Sequence, residues 1–462
     1  MAALAGVSAA APPEAASADD VRELREMLER INEDNADLRR SIDGLRARED
    51  ADWLTEARAA DIRAMVTDVV NDADQRSSLQ SSGFLAGWDG AFFLQDPDGN
   101  FRLQFDGHAQ VRFIFNHIQE ERLDSVRSGF EVTRTKFTLS GHVLGPDLEY
   151  LLRTDATRNE PGLVTGLFYL RDYWFRYRLD NEWSVRAGQF KLPFNREEMV
   201  SSQYQLAIER SLVNESLNIG RSQGIELAWN GPNDRWSLAI SDGSADEIGG
   251  TSPLGIVNSN PRVNTAALQA GVEWAVASRW ERLLAGEWNQ FRDFTSPPGE
   301  QFAMLFGVGG HAMQTETNGA PSAGRNEQSW AGLTADLSVE WGGANMFGSF
   351  IWQYVDNGGF GQINIIGGVI QGGFYVAPRH ELFARWEYGQ FKIDGSGFPD
   401  IHVLTTGWNW YIDGHDAKFT LDLGIAADEV NQIWDSDIAG YRTDQPGDEY
   451  QFVFRSQFQL LF

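Results

Sequence analysis

The sequence predicts an all-β fold: a sixteen-stranded antiparallel transmembrane β-barrel preceded by an N-terminal α-helical coiled coil. Three observations support this prediction: segments in which apolar and polar residues alternate, connections that are alternately short and long, and a heptad repeat near the N-terminus. The chain contains no run of about 18 apolar residues, which argues against a transmembrane helix. Barrel strands alternate lipid-facing and lumen-facing residues, so the modest hydrophobicity is compatible with a membrane barrel.

Composition excludes several classes of protein. The chain has 38 basic and 66 acidic residues, and a net charge of −28 repels nucleic acid. Because there is no cysteine, disulfides, thiolate metal sites and cysteine nucleophiles are excluded, and no metalloprotease, hydrolase or phosphate-loop motif occurs. Asp96, Asp98 and Asn100 are spaced like the start of a calcium loop, but Phe101 stands where that loop needs glycine. We therefore expect no nucleic-acid partner, no cofactor, no metal and no enzymatic activity.

The N-terminal region predicts helices. Residues 1–18 are alanine-rich without Lys or Arg, and are interpreted as a signal remnant or a disordered tail. Residues 19–50 repeat apolar side chains at spacings of three and four, as a coiled coil requires, and an amphipathic helix packed on its own domain is the alternative. The predicted oligomerisation residues are Val21, Leu24, Leu28, Ile31, Asn35, Leu38, Ile42 and Leu45. This seam leaves dimer and trimer open, and residues 51–83 are predicted as a second helix and a serine-rich hinge.

Residues 84–462 are predicted to form the barrel. The sixteen strands are placed near residues 101–116, 130–144, 148–156, 165–179, 182–190, 220–230, 235–241, 265–276, 279–292, 328–341, 346–355, 366–376, 380–391, 401–412, 417–427 and 449–462. A soluble β-sandwich would show the same alternation within strands. Seven short turns, one of them at Ala277-Ser278, alternate with eight longer loops, one of them over residues 293–327, and this favours an outer-membrane barrel. The final strand ends on Phe462 and resembles the C-terminal signal of such barrels.

Four segments resemble a known family. The sequence GQFKLPFNREE at residues 188–198, together with residues 130–134, 208–211 and 221–227, resembles segments of the phosphate-selective porin O and P family in the same order. The resemblance implies a trimeric sixteen-stranded porin whose third outer loop folds into the pore, with basic side chains lining it. The implied constriction loop includes Lys191, Arg196, Glu197, Glu198 and Arg210. With only four lysines in the chain, the family's lysine-rich vestibule has no counterpart here.

Charge is unevenly distributed along the predicted barrel. Residues 84–240 carry a net charge of −4, whereas residues 241–462 carry −16. The polar faces of the strands predict these pore-lining residues: Arg102, Arg112, Arg134, Lys136, Arg176, Arg178, Arg186, Asp336, Glu340, Glu387 and Asp422. Since consecutive strands are neighbours, a basic arc would face an acidic arc and create a transverse field. The alternative is that these are ordinary solvated lumen residues with local pairing.

These observations together predict an outer-membrane porin for passive diffusion of small hydrophilic solutes and ions, with anions such as phosphate among the candidates. Both predicted ends of the barrel fall on the short-turn side, which would place the coiled coil in the periplasm of a Gram-negative-type cell. The expected partners are outer-membrane lipid, two further copies in a homotrimer, and the diffusing solutes, with peptidoglycan a candidate. The alternative function is a structural envelope protein that tethers the outer membrane to the cell wall through its coiled coil.

Overall fold

The computed structural model describes residues 18–52, 83–119, 125–156, 168–243, 272–316, 327–356, 362–393, 396–444 and 450–462. The chain divides into two compact units, Met1–Ser82 and Gly83–Phe462. The first unit contains helix α1, Ala18–Asp52, on which Leu28, Asn35, Leu38 and Ile42 of the predicted seam are exposed. The side chains of the other four seam residues, most of the predicted signal remnant, and the second helix and hinge lie outside the described residues.

The second unit is built from β-strands. In chain order they are β1 Leu85–Trp88, β2 Phe92–Gln95, β3 Arg102–Gln119, β4 Ser125–His142, β5 Leu148–Ala156, β6 Phe168–Arg178, β7 Trp183–Lys191, β8 Arg221–Asn230, β9 Asp234–Ser241, β10 Val272–Ala285, β11 Ala303–Glu316, β12 Glu327–Trp341, β13 Ala344–Asp356, β14 Gln362–Ala377, β15 His380–Ile393, β16 Ser396–Gly397, β17 Ile401–Asp413, β18 Ala417–Ala426 and β19 Tyr450–Leu461. β1 and β2 form a small antiparallel hairpin beside the start of β3.

Sixteen of these strands form a closed antiparallel barrel, as predicted. From β3 onwards each barrel strand pairs with the next, with β15 pairing to β17 past the two-residue β16. The ring closes where β19 pairs with β3, from Tyr450 opposite Gln119 to Leu461 opposite His108. The end at which β3 begins and β19 ends is called the short-turn end below, and the opposite end the long-loop end.

The predicted order of strand, turn and loop is wrong over the described residues 272–316. Ala277 and Ser278 lie inside β10 rather than in a turn, so one strand replaces the two that were predicted there. β11 lies within the segment predicted as a long loop. The two errors offset each other in the strand count. As a result the β10–β11 connection, residues 286–302, lies at the short-turn end although it is long.

The composition of β11 explains why the sequence predicted a loop there. β11 contains Gly307, Gly309 and Gly310, a content typical of turns. A Cβ on Gly309 would lie 2.5 Å from the carbonyl oxygen of Phe194, and one on Gly307 would lie 2.2 Å from Nη2 of Arg279. These glycines therefore allow other parts of the chain to pack closely against the inner face of the strand.

Candidate functional site

Alternate residues of the barrel strands are buried inside the barrel, and many of them are polar. In β19, Gln451, Arg455 and Gln459 are buried, whereas Phe458 and Leu460, on either side of Gln459, are exposed. Side chains of a strand point alternately to its two faces, so the inner face of β19 is polar and its outer face is apolar. This is the arrangement that a barrel with lipid outside and water inside requires.

The residues predicted to line the pore differ in burial. Seven are buried: Arg112, Arg134, Lys136, Asp336, Glu340, Glu387 and Asp422. Arg102, Arg176 and Arg186 are partly buried, and the side chain of Arg178 is half exposed. Arg178 ends its strand at the short-turn end, which accounts for its exposure.

The four less buried arginines form local ion pairs. The pairs are Arg102–Asp89 at 2.9 Å, Arg176–Glu149 at 3.4 Å, Arg178–Glu149, and Arg186–Glu226 at 2.6 Å. Each acidic partner lies on the neighbouring strand or on the β1–β2 hairpin. These four arginines therefore agree with the alternative that charged lumen residues are paired locally.

The third long loop, residues 192–220 and called L3 below, crosses the lumen. It contains the short helices α2, Arg196–Met199, and α3, Leu212–Leu217, with a single 3₁₀ turn between them. Ser202 of L3 accepts a hydrogen bond from Lys136 of β4 at 2.9 Å, and Arg196 donates one to Ser338 of β12 at 2.9 Å. Since β4 and β12 lie half-way round the barrel from each other, L3 reaches both walls.

Two arginines of the early strands, defined as β3–β9, hold L3 through Glu209. The carboxylate of Glu209 accepts hydrogen bonds from Arg112 at 2.8 Å and from Arg134 at 2.5 and 2.8 Å. All three side chains are almost fully buried. Burial alone would raise the pKa of Glu209, but the guanidinium groups of Arg134 and Arg112 outweigh it and hold that pKa at about 2. Glu209 is thus an anion at all physiological pH values.

Acidic residues of the late strands, defined as β10–β19, hold L3 from another side. Asp422 accepts a hydrogen bond from the backbone N–H of Ile208 at 3.0 Å, and Glu387 accepts one from that of Leu212 at 2.6 Å. Arg385 donates to the carbonyl oxygen of Glu209 at 2.8 Å. The early basic residues and the late acidic residues therefore meet across L3, and the loop is fixed between them.

The charged residues of the implied constriction loop are buried against one another. Glu198 lies 3.3 Å from Lys191, the last residue of β7, and 3.3 Å from Arg210. Glu197 accepts hydrogen bonds from the backbone and hydroxyl of Ser211 at 2.7 Å. Burial opposes ionisation of Glu198, but Arg210 and Lys191 outweigh it and hold its pKa well below the usual range. These groups fix the shape of L3.

Three further arginines of the lumen were missing from the predicted set: Arg221, Arg279 and Arg455. Arg279 donates to Asp336 at 2.8 and 2.9 Å and to the carbonyl oxygen of Phe194 in L3 at 2.8 Å. Because a turn was wrongly predicted at residues 277–278, the position of Arg279 on the inner face of β10 was not recognised. Arg455 pairs with Asp422 at 2.6 Å, and its alternation with aromatic residues in the last strand was the signal that could have identified it.

The long-loop half of the lumen is apolar beside the late strands. Leu212, Val213 and Leu217 of α3 belong to a buried cluster with Val430 and Trp434 of the last loop. The cluster also takes in these residues of β13, β14, β15 and β17: Ile351, Val355, Ile363, Ile365, Val369, Phe391, Ile401 and Val403. Tight apolar packing excludes water, so this side of the lumen is filled rather than open.

Within the ranges that the structure describes, no helix is long and apolar enough to cross a membrane. The same ranges contain no group of three His, Asp or Glu side chains placed to hold a metal ion.

A closed barrel with an apolar outer face, a polar inner face and a loop folded into its lumen defines the class of outer-membrane β-barrel channels. The family model of the phosphate-selective porin O and P matches residues 103–424, so the chain belongs to that family. The resemblance found in the sequence is confirmed.

Solved structures share the fold at low sequence identity. The anion-selective porin from Comamonas acidovorans has a TM-score of 0.54 and 13% identity, over 78% of this chain and 99% of that chain. The outer membrane channel DcaP of Acinetobacter baumannii has a TM-score of 0.52 and 11% identity, over 81% of this chain and 100% of that chain. No curated protein matches in sequence. At such identities these likenesses establish the fold alone.

Proposed function

We propose that this channel allows passive diffusion of small hydrophilic solutes and ions across the outer membrane. The observation that supports this most directly is the attachment of L3 to both sides of the lumen, through Glu209 on one side and through Asp422 and Glu387 on the other. A loop fixed in this way narrows the lumen permanently and limits the size of solutes. In this proposal the eleven predicted residues line the pore and L3 is its constriction. Membership of a porin family favours this function over the tether.

Ion preference should be modest and set by charges inside the lumen. Charges on the outer loops are screened over about 8 Å at physiological salt, so the net negative charge of the barrel matters little at its axis. Two of the late acidic residues are paired, Asp336 with Arg279 at 2.8 Å and Asp422 with Arg455 at 2.6 Å. Early basic residues are paired as well, as Arg186 is with Glu226 at 2.6 Å, so neither sign of charge dominates and we propose only a weak preference, for anions such as phosphate. The family name and the selectivity of the Comamonas porin agree with this direction.

Planar-bilayer recording tests both the channel function and the ion preference. Purified folded protein should give stepwise conductance, and its absence would refute the porin function. In a salt gradient the reversal potential should indicate a weak anion preference that Arg176→Glu reduces. Arg282→Glu is the matched control because Arg282 is half exposed on β10 and undergoes the same charge change. Strong phosphate selectivity would instead support the narrower function in the family's name.

We further propose a homotrimer whose coiled coil lies in the periplasm. On α1 the apolar side chains of Met27, Leu28, Leu38 and Ile42 are each about half exposed in the single chain. Three of them occupy heptad positions a or d, which other copies of the helix would cover. Deleting residues 19–50 should weaken the trimer without unfolding the barrel. Light scattering that finds monomers both before and after the deletion would contradict this proposal.

A further inference from the structure

The β10–β11 connection packs along the inside of the late strands at the short-turn end. Gly343, in the β12–β13 turn, donates its backbone N–H to the carbonyl oxygen of Ser296 at 3.1 Å. The ring of Phe294 lies 4.8 Å from that of Phe347 in β13. Thr295 donates to Glu381 of β15 at 3.1 Å. The connection thus contacts successive strands away from its own position in the wall.

The same connection also reaches L3 and the β17–β18 turn. The guanidinium of Arg292 lies 4.7 Å from the ring centre of Tyr204 in L3. A carboxylate oxygen of Asp293 lies 3.2 Å from Nε2 of His415 in the β17–β18 turn. Arg196 of L3 donates to the carbonyl oxygen of Phe291 at 2.8 Å. From its origin between β10 and β11, the connection therefore extends across the late side of the barrel mouth.

On the early side of the same mouth, a cavity of about 190 Å³ remains between L3 and the wall. Its lining includes His108, Lys136, Ser140 and Arg153 of β3, β4 and β5, together with Tyr204 of L3. Both ring nitrogens of His108 are buried and have no hydrogen-bond partner among the described residues. The cavity is therefore polar and large enough for several water molecules.

We propose that the β10–β11 connection closes the β12–β18 side of the short-turn end, so that solutes cross this end through the cavity beside β3–β5. The connection is then a second constriction, in series with L3. This inference rests on the proposed channel function. It adds an off-centre path and a second element that determines the size of the solutes that pass.

Cysteine accessibility tests the path directly, because the native chain has no cysteine. Ser140→Cys places a thiol in the cavity, and Ser296→Cys places one in the connection, where the native side chain is fully buried. A small charged thiol reagent should label Ser140→Cys rapidly and reduce its current, and leave Ser296→Cys unlabelled. Equal labelling of the two, or faster labelling of Ser296→Cys, would overturn the proposal. Mass spectrometry measures the labelling of each variant without recording any current. A failure of the proposed path can therefore be distinguished from a failure of the channel function.

Shortening the connection tests the second constriction. β10 and β11 stay paired up to Ala285 opposite Met304, so residues 287–301 can be replaced by Asn-Gly without cutting the wall. If the two constrictions offer similar resistance in series, removing one should raise single-channel conductance about twofold. The double variant Glu287→Gln/Glu300→Gln controls for the lost charge, because residues 287–301 carry three acidic residues and one basic residue, a net charge of −2. Unchanged conductance in a shortened protein that still folds, as judged by its unfolding transition, would refute the proposal.

Discussion

Neutralising Glu209 should release L3 from the early strands. Glu209→Gln preserves the size of the side chain but removes the anion that contacts Arg112 and Arg134. Arg112 keeps its ion pair with Glu131, and Arg134 keeps its hydrogen bond to Gln110. The variant therefore removes the carboxylate that is ion-paired with Arg134 and leaves the residues of the barrel wall unchanged.

The magnitude follows from burial. Removing one partner of a buried ion pair costs about 3–5 kcal/mol, and because Arg112 retains a partner we take the lower end, about 3 kcal/mol. That energy lowers the ratio of attached to detached L3 on the order of 100-fold. L3 would still be held by Asp422 and Glu387, so we expect a fluctuating loop rather than an unfolded barrel.

The pH dependence distinguishes this mechanism from a general loss of stability. The pKa of Glu209 falls from its ordinary value of 4.5 to about 2 in the folded protein, so its contribution is fully present above 4.5 and is lost as the pH falls through about 2. Native channels should therefore show low current noise above about pH 4.5 and become noisier as the pH falls from there towards about 2. Glu209→Gln should lack this acid-induced change.

Single-channel recording provides the assay. Glu209→Gln should show higher current noise and higher mean conductance than the native protein at neutral pH. Glu131→Gln is the matched control, since Glu131 contacts Arg112 from the wall strand and does not belong to L3. If Glu209→Gln gives the native conductance and noise, the reasoning that Glu209 anchors L3 is wrong.

Two further predictions concern stability. Burial raises the pKa of Glu215 in α3 to about 8, so the folded protein keeps a proton that the unfolded chain releases, and the free energy of unfolding should fall as pH rises from about 4.5 to about 8. Glu215→Gln should remove this part of the pH dependence in urea unfolding, and an unaltered slope would contradict the assignment. Gly309→Ala should destabilise the protein by about 1–3 kcal/mol, because its Cβ would lie 2.5 Å from the carbonyl oxygen of Phe194. Gly348→Ala, whose Cβ would meet nothing closer than 3.8 Å, should cost much less, and equal unfolding midpoints for the two variants would refute the packing argument.

The fold could be predicted from the sequence because its main signal is local. Alternation of polar and apolar residues identified most strands, and the family segments identified L3 near residue 191. The same method failed at Ala277 and Ser278 and in β11. Ala277 belongs to the buried cluster that includes residues of L3, Ser278 donates a hydrogen bond to Ser237 of β9, and Gly309 lies against L3. Small residues and glycines of this kind have the composition of turns.

Sequence patterns were sufficient to predict the family, the uneven distribution of charge and a barrel of sixteen strands, although two errors in strand placement offset each other. The tertiary structure shows how that charge is used, since Glu209 lies 97 positions from Arg112 and 75 from Arg134 along the chain. It also decided that the β10–β11 connection packs inside the barrel mouth. The physical reason is that strand periodicity depends on neighbouring residues, whereas ion pairs across a lumen depend on barrel closure, which brings distant parts of the chain together.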